Sequence, residues 1–495
     1  MKKNNLFKAV GIVILIYILM SWIVPIIYGI GNFKGEVSHQ IGFVSIMSVI
    51  LETFSGFGSV VLYVLLVGAF YGVLKVTGAY DKIIECVATK VKGKEKGTLI
   101  GIIIVMALIS SISGLDLGLL VVFPILIALL VKMGYDKIVA LGTTLGATII
   151  GMYGATLAGT LYGINNTILG LKTYSQFLPK VILLVVGVVV LILFVLAYCK
   201  EKNFKFDDKK VAVKSTAKKE AVKSFAKKST KVKKATSEKA KEKGKTKKER
   251  GVLPALIIVG VVMLILFIGT TSWEGIFGSN WFSTAHTSWT GFKIGGFEIL
   301  NKLFGGIDAF GLWNTPTRFQ IYSMILILAM VALAICYRTK PSECFDGFVD
   351  GIKSFVVPAI LTILASSLFV FIYYNPVITP VMSAFLGLAK EFNIAISGIY
   401  TIINSVFYVD YYYLAYSVLY SLTSVYDDAN VLSILSVMFT NLYSLVMLVA
   451  PTSVLLLISL SISDVKYTEW LKFIWKIALV LLVVSFITFM VMMLV

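Results

Sequence analysis

The sequence predicts an all-α polytopic membrane protein of about 11–13 membrane segments, built from two inverted halves that each hold a re-entrant hairpin and a broken helix. Three observations predict it: apolar composition with runs of spanning length, the placement of lysines, and two matching pairs of interrupted apolar segments. The 495 residues are 58% hydrophobic and 14% charged, with a mean hydropathy of +0.91. So few polar groups cannot cover a soluble protein of this length. Several runs reach the ~20 residues needed to cross ~30 Å of hydrocarbon, and backbone in lipid must be helical to satisfy its own hydrogen bonds.

Phe7–Ile30 is the first span; it is too long for a signal-peptide core and lacks a small-residue cleavage site. Most of the net charge of +19 comes from one segment: Lys200 to Arg250 holds 21 basic and 7 acidic residues, a balance of +14. With almost nothing to bury, it is expected to be a disordered cytoplasmic linker. Contact with anionic lipid at 200–250 stays open as a second reading. Nucleic acid is not an expected partner, since no folded basic module accompanies the lysines.

Lysine-rich loops stay in the cytoplasm. That rule places the N-terminus, Asp81–Lys96 and the linker inside, in a cytoplasmic (cell) membrane. Gly56–Val76 then runs inward, Val181–Tyr198 enters the cytoplasm and Leu253–Thr270 leaves it. Segment 271–316, with Trp273, Trp281, Trp289 and Trp313, becomes an external excursion with interfacial helices. Arg318–Cys336 returns, Val356–Tyr373 leaves again, and Phe473–Val495 runs outward.

Thr98–Val131 holds two short apolar arms around Ser110-Ser111-Ile112-Ser113-Gly114-Leu115-Asp116, and Ile394–Val425 holds two around Ser405–Asp410. Each hairpin is followed by a charged turn and then by a long apolar segment interrupted by small and polar residues. The charge rule bases the first hairpin inside and the second outside. The domains are therefore 1–199 as the first repeat, 200–250 as linker, 251–316 as an extra helix plus the external segment, and 317–495 as the inverted second repeat. Paired interruptions of this kind are a mark of secondary transporters, because freed backbone groups in a membrane must face a ligand, an ion or water. Close helix packing through Gly, Ser and Thr is the competing explanation for any one cluster.

The candidate site follows. A carboxylate in the bilayer core costs at least ~2.5 kcal/mol, so Asp116 and Asp410, at matching hairpin tips, are the leading residues. Each could bind Na⁺, carry a proton or hold a substrate's amino group; capping a helix is the alternative. Ser111, Ser113, Thr143, Thr144, Thr148, Asn165, Asn166 and Thr167 offer oxygens and amides in the first half. Thr440, Asn441, Ser444, Thr452 and Ser453 do so in the second. The cluster Tyr408, Tyr411, Tyr412, Tyr413, Tyr416 and Tyr420 reads either as an aromatic wall for substrate, with Tyr411 as a binding residue, or as packing. No Lys or Arg lies in the interrupted segments, so an anionic substrate is expected to meet dipoles, amides and hydroxyls without a salt bridge.

No catalytic set and no resident metal or cofactor is expected, apart from Na⁺ as a coupling ion at Asp116 or Asp410. Cys86, Cys199, Cys336 and Cys344 have no metal spacing, and neither His39 nor His286 has a ligand partner. A secondary carrier for a small carboxylate or amino acid is the expected function. The permease subunit of an ATP-driven importer would need a partner ATPase, since the chain has no nucleotide-binding loop; a lipid-modifying enzyme would need a catalytic constellation; a channel would show single-channel currents.

Val67–Ala79, Phe123-Pro124-Ile125-Leu126, Gly134-Tyr135-Asp136, Pro451-Thr452-Ser453 and Tyr467–Phe473, in that order and spacing, give the chain its resemblance to the YfcC/DcuC-type carriers of the ion transporter superfamily. The resemblance implies an elevator-type carrier coupled to Na⁺ or H⁺ or working by exchange, assembled as a homodimer, moving dicarboxylates or basic amino acids. Leu115-Asp116, Tyr408-Val409-Asp410-Tyr411 and Thr440–Tyr443 depart from the family's pattern at positions expected to contact substrate.

Overall fold

The computed structural model describes residues 2–28, 40–172, 175–202, 251–304, 313, 318–389, 391–408 and 410–494. His39, most of the basic linker and parts of the external segment lie outside these residues.

The first half runs α1 (Lys2–Tyr28), α2 (Phe43–Val76), α3 (Ala79–Lys90), hairpin 1 from α4 (Glu95–Ser113) and α5 (Phe123–Lys132), α6 (Lys137–Gly154), α7 (Ile164–Ile168) and α8 (Phe177–Glu201). Then come α9 (Leu253–Thr270), three short helices α10 (Trp273–Phe277), α11 (Trp281–Thr290) and α12 (Ile299–Phe304), with a small strand pair, Lys293–Ile294 on Phe297–Glu298, before α12. The second half repeats the order: α13 (Arg318–Tyr337), α14 (Pro341–Tyr374), α15 (Ile378–Leu386), hairpin 2 from α16 (Ile394–Phe407) and the arm α17 (Tyr411–Leu414) and α18 (Tyr420–Leu422), then α19 (Ala429–Val449), α20 (Val454–Ser463) and α21 (Tyr467–Leu494).

Among the described residues ten helices are long and apolar enough to cross a membrane, and two shorter apolar helices, α5 and α16, belong to the hairpins. Apolar side chains such as Leu178, Leu193, Leu253 and Ile335 lie exposed on these helices. In a bilayer they face hydrocarbon, which imposes no cost on them.

α2 and α14 form the central pair, each of 34 residues. The pair is antiparallel: Gly68 meets Gly351 and Gly72 meets Gly347, backbone to backbone. A methyl group at Gly72 would stand 1.9 Å from Gly347 O, so only glycine permits this approach. Equivalent helices of the two halves thus run in opposite directions, as an inverted repeat requires. Both helices are longer than the expected Gly56–Val76 and Val356–Tyr373. Residues such as Asp346, Asp350 and Lys353 interrupt the hydropathy of α14 without interrupting its helix.

Hairpin 1 also differs from expectation. Its first arm has 19 residues, enough to cross, whereas the second is a 3₁₀ turn, Leu117–Val121, followed by the 10-residue α5. Both turns leading to the broken helices end in an aspartate N-cap. Asp136 Oδ1 accepts from Val139 N at 2.7 Å, and Asp428 Oδ1 accepts from Asn430 N and Val431 N at 2.9 Å. The four cysteines are free.

Candidate functional site

Hairpin 1 turns where α4 ends at Gly114 in the left-handed region (φ 72°). A Cβ there would fall 1.9 Å from Thr160 Oγ1, so the turn needs glycine both for its torsion and for its space. Asp116 follows and opens the 3₁₀ turn. Tyrosines of α2 and α3 serve the carbonyls of this arm: Tyr63 donates to Leu117 O and Gly118 O (3.2 and 3.0 Å), Tyr71 to Val121 O, and Tyr80 to Pro124 O (3.4 Å). The first broken helix parts after α6, where Ala155 has φ 24°. The hairpin fills that gap: Ser111 Oγ lies 3.0 Å from Thr156 Oγ1 and accepts from Thr156 N at 3.0 Å, while Leu157 N donates to Ser111 O at 3.2 Å.

Hairpin 2 is tied to its own half in the same way. The second broken helix parts between α19 and α20, where Thr452 Oγ1 donates to Val406 O at 2.7 Å and Ser453 Oγ caps α20 by accepting from Leu456 N at 3.4 Å. Asp410 heads the second arm and accepts from Tyr412 N at 2.9 Å through Oδ1. Its other oxygen, Oδ2, turns toward Arg318.

The two tips meet at one guanidinium. Arg318, the first residue of α13, places Nη2 3.6 Å from Asp116 Oδ2 and 4.0 Å from Asp410 Oδ2. Its side chain is 12% exposed, against 24% for Asp116 and 29% for Asp410, so the arginine stands behind and the carboxylates stand forward. The guanidinium lies over the Phe319 ring, 5.0 Å from its centroid, and Arg318 Nε is buried without a hydrogen-bond partner. Asp116 and Asp410 line a cavity with Leu117, Ser366, Tyr443 and Ser453, which holds about 540 Å³ of empty space counted with its mouth. One cation against two carboxylates leaves the cluster at −1 when all three are ionised.

This corrects the expectation that an anion would meet no salt-bridging side chain. Arg318 begins a helix that does not belong to either interrupted segment, and it reads in sequence as an ordinary span boundary. Its chemistry becomes visible only when α13 packs on α2 beside both hairpins.

Of the remaining predicted residues, Ser111, Thr452 and Ser453 belong to the hairpin–break junctions. Asn165, Asn166, Tyr411, Thr440 and Asn441 join the halves. Asn165 Nδ2 donates to Ser436 O and Thr440 Oγ1 (2.8 and 2.9 Å), Tyr411 OH donates to Asn165 Oδ1 (2.7 Å), and Ser436 Oγ donates to Asn166 Oδ1 (2.7 Å). Asn441 Nδ2 donates to Tyr153 O at 3.1 Å, and its Oδ1 is buried without a partner.

Thr143, Thr144, Thr148, Thr167 and Ser444 are not brought to the cavity. Their hydroxyls donate one turn back along their own helices, to Val139 O, Ala140 O, Thr144 O, Gly163 O and Thr440 O. Around Thr143 the helix widens into a π-turn (Gly142–Gly146) without breaking. Ser113 also donates backward, to Ile109 O, and accepts from Leu115 N within the turn. Among the tyrosines, Tyr408 and Tyr411 are buried in packing, while Tyr416 and Tyr420 are exposed.

Fold and site together define a polytopic helical membrane protein with a charged cavity lined by residues of both hairpins. The chain belongs to the C4-dicarboxylate anaerobic carrier (DcuC) family, whose profile matches residues 7–494. An uncharacterized protein of Haemophilus influenzae is 22% identical over 171 residues, a match that spans 34% of each chain. The solved YdaH transporter of Alcanivorax borkumensis overlays 97% of each chain at 9% identity, with a TM-score of 0.41.

Proposed function

We propose that the chain carries a small organic carboxylate that brings a cation to Asp116 and Asp410, with an amino acid as the leading substrate class. The carrying observation is the charge of the cavity. Two carboxylates face it and one guanidinium, set behind them, offsets one. A low-dielectric site of net −1 favours a ligand with a positive group. An amino acid supplies one as its ammonium.

A dicarboxylate is the second reading, and the family's description favours it. In this site a dianion needs Na⁺ or H⁺ at the aspartates first, which makes its binding cation-dependent. Coupling to Na⁺ or H⁺, or exchange, is part of the proposal in both readings. So is an elevator-type movement: the glycine-locked α2–α14 pair is a natural fixed frame, and the aspartates ride on hairpins tied to their own broken helices.

The test is a thermal-shift screen of the purified full chain against neutral and cationic amino acids and against succinate, with and without Na⁺. A ligand that binds the folded state raises its melting temperature. Stabilisation by amino acids without Na⁺ supports the first reading, and stabilisation by succinate only with Na⁺ supports the second. Absence of any shift, together with absence of uptake of all these compounds in proteoliposomes, would reject both.

A further inference from the structure

The charge cluster lies between two aromatic layers that differ in what holds them. Toward hairpin 1, Tyr63 of α2 packs on Phe319 and Tyr322 of α13 with centroids 5.8 and 5.6 Å apart. Hydrogen bonds from Tyr63 to Leu117 O and Gly118 O bind this layer to the hairpin. Past it, Val64, Val67, Phe70 and Leu74 of α2 are fully buried.

Toward the base of hairpin 2, Phe57 of α2 meets Phe369 of α14 at 5.6 Å, and Tyr413 of the hairpin meets these rings at 6.0 and 4.2 Å. Here Tyr413 of the hairpin meets α2 and α14 through ring contacts, and Tyr408 adds another on Phe369 at 6.3 Å. One turn beyond Phe369, Tyr373 is 69% exposed. One turn beyond Phe57 on the same face of α2, Thr53 is fully buried with its hydroxyl unpartnered. A buried hydroxyl without a partner is costly, and entering water would satisfy it.

We propose that Phe57, Phe369 and Tyr413 form the gate through which the Asp116–Asp410 cavity opens, on the side where hairpin 2 is based, external by the lysine distribution. Hairpin 2 leaves the α2–α14 pair and parts the rings, while the Tyr63 hydrogen bonds keep the hairpin 1 side shut. The inference rests on the cavity being the transported ligand's site. It adds which contact yields first and toward which side.

The test needs no knowledge of the substrate. In the full chain with Cys86, Cys199, Cys336 and Cys344 replaced by serine, Ser366→Cys places a thiol on the cavity wall. A membrane-impermeant cationic methanethiosulfonate is applied to one face of oriented vesicles at a time. Tyr413→Ala, which loses the ring contacts to Phe57 and Phe369, should raise the labelling rate about tenfold from the hairpin 2 face alone, and Phe369→Leu should raise it from the same face. Tyr63→Phe should leave the rate from that face unchanged. Equal rates with and without the gate substitutions, or a rise from both faces, would overturn the gate. Uptake measured on the same proteins separates the two claims. One-sided labelling without uptake of any compound would leave the gate and remove the carrier reading, whereas uptake with unchanged labelling would do the reverse.

Discussion

Arg318 and Asp116 approach to 3.6 Å between Nη2 and Oδ2, with Asp410 on the same nitrogen at 4.0 Å. Both separations fit an ion pair and exceed an ordinary hydrogen bond. One guanidinium therefore holds two hairpin tips electrostatically without being committed to either. The three residues come from three different segments, so the cluster exists only once both halves have packed.

Removing the cation should be costly. Arg318→Gln leaves two carboxylates facing each other in a low-dielectric site, and breaking a buried pair destabilises by about 3–5 kcal/mol. We expect a clear fall in the melting temperature of the detergent-solubilised protein. Arg318→Gln combined with Asp116→Asn should recover part of it, because one uncompensated charge is gone. If Arg318→Gln melts with the wild type, the pairing does not operate in the membrane protein.

Asp116→Asn and Asp410→Asn keep shape and remove charge. Each should lower coupled uptake in proteoliposomes at least about tenfold, the equivalent of about 1.4 kcal/mol of lost ligand or ion binding. Size-exclusion profiles should remain those of the folded protein. Normal uptake by either variant would take that aspartate out of the site.

The glycine contact between α2 and α14 can be tested against an internal control. Gly72→Ala forces a methyl to 1.9 Å from Gly347 O, whereas nothing lies within 4 Å of a Cβ at Gly260 in α9. Gly72→Ala should reduce the yield of folded protein sharply, and Gly260→Ala should leave it unchanged. Overpacking in a close-packed interior typically costs about 1–3 kcal/mol, more where backbone is the obstacle.

Deleting residues 206–246, within the basic linker, should leave uptake largely intact if that segment is a tether. A well-inserted deletion without activity would show that the lysines act on lipid or on the carrier itself, and restoring them as a scrambled sequence would distinguish charge from order.

Much of this architecture was legible because hydropathy, lysine placement and paired interruptions report on the membrane directly. Asp116 and Asp410 stood out as carboxylates among apolar residues. Arg318 did not, because an arginine before an apolar run also marks the edge of a span. The place of Thr143, Thr144 and Thr148 was not legible for a related reason: a hydroxyl bonded to its own helix, as these are, and one turned to a ligand have the same composition. Ser111 and Thr452 differ from these in having partners on another segment, a relation that spacing along the chain does not encode. The first third of α14 was hidden by its own charges, which extend the helix beyond the hydrocarbon.

The most direct measurement is the sidedness of the two hairpin bases. In the cysteine-free full chain, Asp136→Cys and Asp427→Cys are labelled in sealed, oriented vesicles with an impermeant thiol reagent. Opposed halves predict that position 136 reacts only from the cytoplasmic face and position 427 only from the external face. Reaction of both from one face would mean that the hairpins enter from the same side, and a single guanidinium could not then gather Asp116 and Asp410 in the way described.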